Sequence, residues 1–297
     1  MDGIFNINKT TGMTSHDVVA KIRKILKQKR AGHAGTLDPA ASGVLPICIG
    51  QGTRVAEYLS ESGKAYQADI LFGIVTDTYD SEGSIIRTAN TAGLTLANIK
   101  ETLPHFLGSQ MQYPPRYSAI KIQGQPAYKR ARAGEELSLA ARPITITSLE
   151  ILAWEPPRLI LAIECSKGTY IRSLAYDLGE KLACGAHLAA LIRVRSGPFT
   201  LSESITLAQL ADAVTTGTVA ERLFPPDFAL QSYPAIRLDA ATAARVLHGN
   251  PFPYNLTPPP ASPPTLARIY GPSNNFLAIA EWSPDQNLWQ PKKVFTA

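Results

Sequence analysis

One carboxylate in this chain is set apart by its surroundings. Asp38 lies in GHAGTLDPAASGVLP, residues 32–46, between an apolar residue and a proline, with Gly32, Gly35 and Gly43 around it. Pro39 fixes its own φ and pushes Asp38 toward extended backbone, while the glycines allow turns closed to other residues. A carboxylate held this way can serve as nucleophile or general base. The same letters also make an ordinary turn, because Gly, Asp and Pro are what turns are made of. Local chemistry alone does not choose between the two.

The remaining chemistry is narrowed by missing motifs. There is no GxxxxGK[ST], no strand-linked GxGxxG and no HExxH, so no cofactor is expected. Cys48, Cys165 and Cys184 form neither a CxxC nor a zinc-spaced Cys/His cluster. They read as reduced thiols of a cytoplasmic protein, with no metal site. The acidic run Asp77, Asp80 and Glu82 before Gly83 lacks the ligand spacing and distal glutamate of an EF-hand, and reads as a hairpin turn. A glycoside hydrolase would want two carboxylates at matched separation, and only Asp38 has a suitable setting.

The elements that must position Asp38 follow from periodicity. Residues 3–10 alternate as a short strand closed by Thr11-Gly12, and a helix follows with Ser15 as N-cap and Val18, Ile22, Ile25 and Leu26 on one face, running to about Arg30. Val44–Ile49 reads as an apolar strand, residues 53–59 as a short helix, and Tyr66, Ala68, Ile70 and Phe72 as the buried face of another strand. Thr95 caps a helix through Leu96, Ile99 and Leu103, and residues 127–134 read as a short basic helix. Residues 144–151 and 159–165 are strands, and Leu174, Leu178 and Leu182 outline a helix that stops at Gly185. Residues 223–232 form a junction. Beyond it come a helix capped by Asp239, a proline-rich stretch over 257–264, and strands over 266–270 and 276–281. This order suits an α+β fold with a central mixed, largely antiparallel sheet and a small β-rich C-terminal domain.

At 297 residues and 45% hydrophobic content the chain fills its own core. No stretch is long and apolar enough to cross a bilayer, and the N-terminus has no signal-peptide pattern. The net charge of +5 is modest, but its distribution is uneven. Lys21, Arg23, Lys24, Lys27, Lys29 and Arg30 crowd one segment, and Lys121, Lys129, Arg130 and Arg132 another. Such runs are often only solvated faces; two of them beside the Asp38 loop and the 114–134 stretch also suit a surface that tracks phosphates.

Four stretches together are more specific than any one. GHAGTLDPAASGVLP, KAYQADILFGIVTDTYDSEG from Lys64, PPRYSAIKIQGQPAYKRARAG from Pro114 and CSKGTYIRSLAYDLG from Cys165 resemble, in order, the motifs of the TruB family of pseudouridine synthases. The resemblance covers about the first three quarters of the chain. It implies a pseudouridine synthase domain over 1–228 with an inserted thumb at about 114–142, and a PUA-like RNA-binding domain over 229–297. The C-terminal match is looser, and the proline cluster departs from the family pattern.

The implied activity is isomerisation of uridine 55 in the T-loop of transfer RNA, with no cofactor and no metal, by a monomer that binds the T-arm and no membrane. Asp38 resembles the catalytic aspartate. Tyr66 resembles the aromatic that stacks on the flipped base, and Tyr170 and Arg172 line the pocket, the arginine pairing with Asp38. His33 resembles the histidine that fills the space left by the flipped nucleotide, Leu191 the apolar contact to uracil, and Lys9 a lysine near the RNA. Lys121, Lys129, Arg130 and Arg132 fall in the thumb that closes on RNA. A binding or folding module for transfer RNA would share the basic clusters but gains nothing from a carboxylate among phosphates, where it repels.

Overall fold

A computed structural model describes residues 1–117, 121–122, 125–126, 130, 135, 139–253 and 266–295. In chain order its strands are β1 (Gly3–Lys9), β2 (Ala31–His33), β3 (Ser42–Ile49), β4 (Lys64–Phe72), β5 (Ile74–Thr76), β6 (Ile85–Thr88), β7 (Gly108–Gln112), β8 (Lys121–Ile122) and β9 (Gln125–Pro126). They continue as β10 (Arg142–Glu155), β11 (Arg158–Cys165), β12 (Ala186–Ser196) and β13 (Phe199–Thr200), then β14 (Ala235–Arg237), β15 (Leu266–Tyr270), β16 (Phe276–Ser283) and β17 (Leu288–Val294).

The main sheet runs β1-β3-β12-β4-β11-β10-β7, with β2 on β3 and β13 on β12. Its pairings are antiparallel except for β3 with β12, so the sheet is mixed and largely antiparallel as expected. Tyr66, Ala68, Ile70 and Phe72 do share the buried face of β4, against the helix Ile171–Lys181 through Leu174 and Leu178. β1 departs from simple alternation. Phe5 and Ile7 pack under the helix Ser15–Ile25, while Ile4 faces the opposite cluster around Val44 and Phe199, so both faces are covered.

Three local readings change. Thr14, not Ser15, caps the first helix, closing a reciprocal box with Asp17. That helix ends at Ile25 rather than near Arg30, where Lys27 turns to φ +49°, a conformation no helix continues through. The helix over 53–59 is a 3₁₀ turn, Gly50–Val55, followed by Ala56–Glu61. β12 has no counterpart in the sequence reading. Register shifts at Leu188/Ala190 and Arg193/Arg195 interrupt its alternation, which hides the period of two. The helix expected over 127–134 and the proline-rich stretch lie outside the described residues, Arg130 excepted.

The C-terminal sheet, β14-β15-β16-β17, packs under the helix Ala240–Leu247, capped by Asp239 as expected. It is not a bead on a string. Phe295 and Ile279 share one core with Leu59, Phe199 and Leu230, and the guanidinium of Arg54 donates to the Val294 carbonyl. The 223–232 junction is an aromatic seam, with Phe224 and Phe228 at 5.3 and 5.2 Å from Phe199.

Candidate active site

The Asp38 loop joins β2 to β3 and is fastened on several sides. Gly12 N–H donates to the Pro39 carbonyl at 2.9 Å. Lys9, fully buried, spends its ammonium on the carbonyls of Thr10 (2.9 Å), Met13 (2.8 Å) and Pro39 (3.3 Å). Burial pulls its pKa down to about 8. Lys9 therefore faces the loop backbone instead of solvent, because β1 is covered on both sides. Ser15, relieved of capping, accepts from Leu37 N–H at 2.8 Å and donates to the Leu37 carbonyl at 3.1 Å.

The Asp38 carboxylate keeps 42% of its side-chain surface exposed, and Arg172, at the start of the helix Ile171–Lys181, brings Nε to 3.0 Å from Oδ2. This is a close charge contact rather than an aligned hydrogen bond, since Nε–H has no hydrogen-bond acceptor in line. The resemblance implies that Arg172 pairs with Asp38. The structure spreads the guanidinium over two carboxylates. Nη1 lies 3.2 Å from Asp80 Oδ2 and donates to the Thr78 carbonyl at 3.3 Å, while Nη2 donates to Tyr117 O at 2.9 Å. The acidic hairpin turn thus holds a second carboxylate of the site. Asp80 is buried, and its other oxygen accepts from Thr78 Oγ1 (2.5 Å) and Glu82 N–H (3.1 Å). Both of its oxygens are already engaged by protein groups, unlike the part-exposed carboxylate of Asp38.

A cavity of about 250 Å³ opens at Asp38, lined by Lys64, Tyr66, Tyr170, Arg172 and Leu191 among others. Tyr66 sits on β4, buried, beside the Arg193 guanidinium; burial raises its pKa while the guanidinium opposes the rise. Tyr170 is pinned by Gln112, which accepts from its N–H at 2.8 Å and donates to its carbonyl at 3.0 Å. His33 stands outside the cavity lining, edge-on to His16 with ring centroids 5.0 Å apart. Burial, then the charges of His16 and Arg193, pulls its pKa down to about 4, so the ring is neutral at physiological pH.

Sequence reasoning passed over Asp80, Lys64 and Arg193. A cation inside an apolar strand, as in LIRVRSG, is the one available signal for the last two: it must be solvated or buried on polar atoms. Of the basic residues expected in a thumb, Arg130 pairs with Glu135 at 2.6 Å. Lys121 belongs to β8 with its side chain outside the described residues, as are Lys129 and Arg132 altogether. Among the described residues no cluster of three or more His, Cys, Asp and Glu side chains forms a metal-holding set, and no helix is long and apolar enough to cross a membrane.

Residues 23–171 match the family model described as TruB family pseudouridylate synthase (N terminal domain), and 172–231 match the tRNA pseudouridylate synthase B C-terminal domain. The chain belongs to the TruB family. Residues 234–295 match a further TruB model, Pseudouridine synthase II TruB, C-terminal. A tRNA pseudouridine synthase B of Dehalococcoides mccartyi is 44% identical over 295 residues, 99% of this chain and 97% of its own. One of Pseudomonas aeruginosa is 40% identical over 292 residues, 97% and 94% respectively. A solved Cbf5-Nop10-Gar1 complex contains a chain of the same fold, at 28% identity and TM-score 0.78 over 99% of this TruB chain and 85% of that one.

Proposed function

We propose that this chain isomerises uridine 55 in the T-loop of transfer RNA to pseudouridine, working in the cytoplasm as a monomer that grips the T-arm and uses no cofactor. Its TruB membership makes it a transfer-RNA pseudouridine synthase. The observation that carries the finer reading is a single part-exposed carboxylate, Asp38, at a cavity floored by Tyr66 and held at 3.0 Å by Arg172.

Extruding a stacked base costs a few kcal/mol unless the gap is filled, and the neutral imidazole of His33 suits that task. Leu191 and Tyr66 then sandwich the uracil, with Tyr170 beside it. Asp38 attacks the ribose or removes its 2′-proton, and the C1′–N1 bond breaks. The captive base turns, C1′ bonds to C5, the C5 proton leaves and N1 gains one, so the reaction is an isomerisation with no net gain or loss. Residues 1–228 carry this chemistry; the thumb at about 114–142 and the domain over 229–297 hold the RNA.

The test is to map pseudouridine in transfer RNA after incubation with the wild-type chain and with Asp38→Asn. A neutral amide keeps the shape but is neither nucleophile nor base. The expected result is modification at position 55 by the wild type only, with similar RNA affinity for both. Modification elsewhere would refute the site, and turnover by Asp38→Asn would refute the catalytic role. Binding with no modification by either would favour the module that only folds or carries RNA.

A further inference from the structure

Arg193 is one of the largest side chains in the protein to be almost wholly buried, at 1% exposure, and among the described residues it has no carboxylate ion-pair partner. A buried cation is costly unless its donors are satisfied. Here they are satisfied by one particular set of atoms. Nε donates to the Val44 carbonyl at 2.7 Å, Nη1 to Thr36 O at 3.2 Å and Nη2 to Gly35 O at 3.1 Å, and the guanidinium lies beside the Tyr66 phenol, whose pKa it pulls down against burial.

Gly35 and Thr36 precede Asp38, and Val44 follows it. A single planar group therefore closes both ends of the Asp38 loop and lies beside the phenol that lines the same cavity. Backbone pairing reinforces the arrangement, since Arg193 lies opposite Gly43 on one side and opposite Tyr66 on the other. The approach is close enough to demand glycine: a Cβ on Gly43, at φ +102°, would lie 2.3 Å from the Arg193 carbonyl oxygen. An ordinary core residue at 193 would fill the volume and remove the desolvation cost, but would leave the Val44, Thr36 and Gly35 carbonyls without this donor.

We propose that Arg193 is a positioning residue, a rigid clamp that sets the Asp38 carboxylate and the Tyr66 ring relative to each other and so acts on the chemical step through both. The proposal rests on the reading of Asp38 as catalytic. Its planar fork matters as much as its charge, because an ammonium is a point charge that cannot span the three carbonyls in fixed directions.

The experiment compares Arg193→Lys and Arg193→Gln with Asp38→Asn and wild type. Single-turnover rate on a T-arm RNA, affinity for the same RNA at one salt concentration, and thermal midpoint are measured for each. Misplacing reacting groups by about 1 Å costs about a hundredfold in rate. The expected result is a loss of about that size for Arg193→Gln, a smaller loss for Arg193→Lys, and affinities within about threefold of wild type. A folded Arg193→Gln with a rate within threefold of wild type would overturn the proposal. So would a fall in affinity that matches the fall in rate, or failure of both variants to fold, which would assign the residue to stability alone. Turnover by Asp38→Asn would instead sink the reading of the site. Inactive Asp38→Asn beside fully active Arg193 variants would sink only the clamp.

Discussion

Arg172→Lys keeps the charge and removes the geometry. The wild-type guanidinium makes four contacts, at 3.0 Å to Asp38, 3.2 Å to Asp80, 3.3 Å to Thr78 O and 2.9 Å to Tyr117 O. An ammonium can face one of the two carboxylates closely, and Asp80 is the buried one, so it captures the charge. Asp38 is then left with 42% of its surface in water and nothing to fix its plane. A misplacement of about 1 Å costs about a hundredfold, or about 2.7 kcal/mol of barrier at about 1.36 kcal/mol per decade. Unmet part-buried carbonyls at Thr78 and Tyr117 add a stability loss of about 1 kcal/mol each. The assay is single-turnover rate against pH from 5.5 to 9, with RNA affinity and thermal midpoint measured separately. We expect a rate loss of about a hundredfold at every pH, affinity within about threefold, and a midpoint lower by several degrees. A wild-type rate in a folded variant would show that Arg172 does not orient Asp38.

Three further outcomes are expected. Lys9 is protonated below about pH 8 and neutral above it, well under the 10.5 of a free lysine, so its third N–H to the loop carbonyls is lost as pH rises through 8. The single-turnover rate should fall across that window, and Lys9→Met should show a lower plateau, by roughly tenfold, without the limb; an unchanged limb refutes the assignment. Neutralising Lys129, Arg130 and Arg132 together should flatten the salt dependence of RNA binding by about 0.7–0.9 in slope per lost phosphate contact, and the Glu135 pairing of Arg130 makes a result of two contacts rather than three the expectation. Activity should survive EDTA and dialysis with the RNA kept folded; a chemical step restored only by added metal would contradict it.

Much of the frame is written in local periodicity, and the site is written only in part. β4 shows its buried face as Tyr66, Ala68, Ile70 and Phe72 because one side packs on a helix. β12 shows no such face, because two bulges shift its register and Arg193 is buried among carbonyls. The Asp38 loop reads locally as a turn as readily as a site, and only the four stretches taken together single the residue out. Asp80 is not singled out even then: an acidic turn looks the same whether its carboxylate meets water or, as here, a guanidinium supplied from 92 residues later in the 80-to-172 contact. Lys9 shows the same limit. A lysine after an apolar strand reads as surface, and only the fold reveals three carbonyls converging on it.

The parallel rung between β3 and β12 sets Ser42 and Gly43 against Ile192 and Arg193. In chain order the carboxylate comes early, and the guanidinium groups of Arg172 and Arg193 that meet it and its loop come late. Until about the first two hundred residues are made, the Asp38 loop has no Arg193 to close it, and β4 has no partner on the side that faces β3. Such long-range closure is the slow part of building a sheet. A chain that stops short of β12 lacks Leu191 and Arg193, and with them the strand that joins β3 to β4 around the cavity.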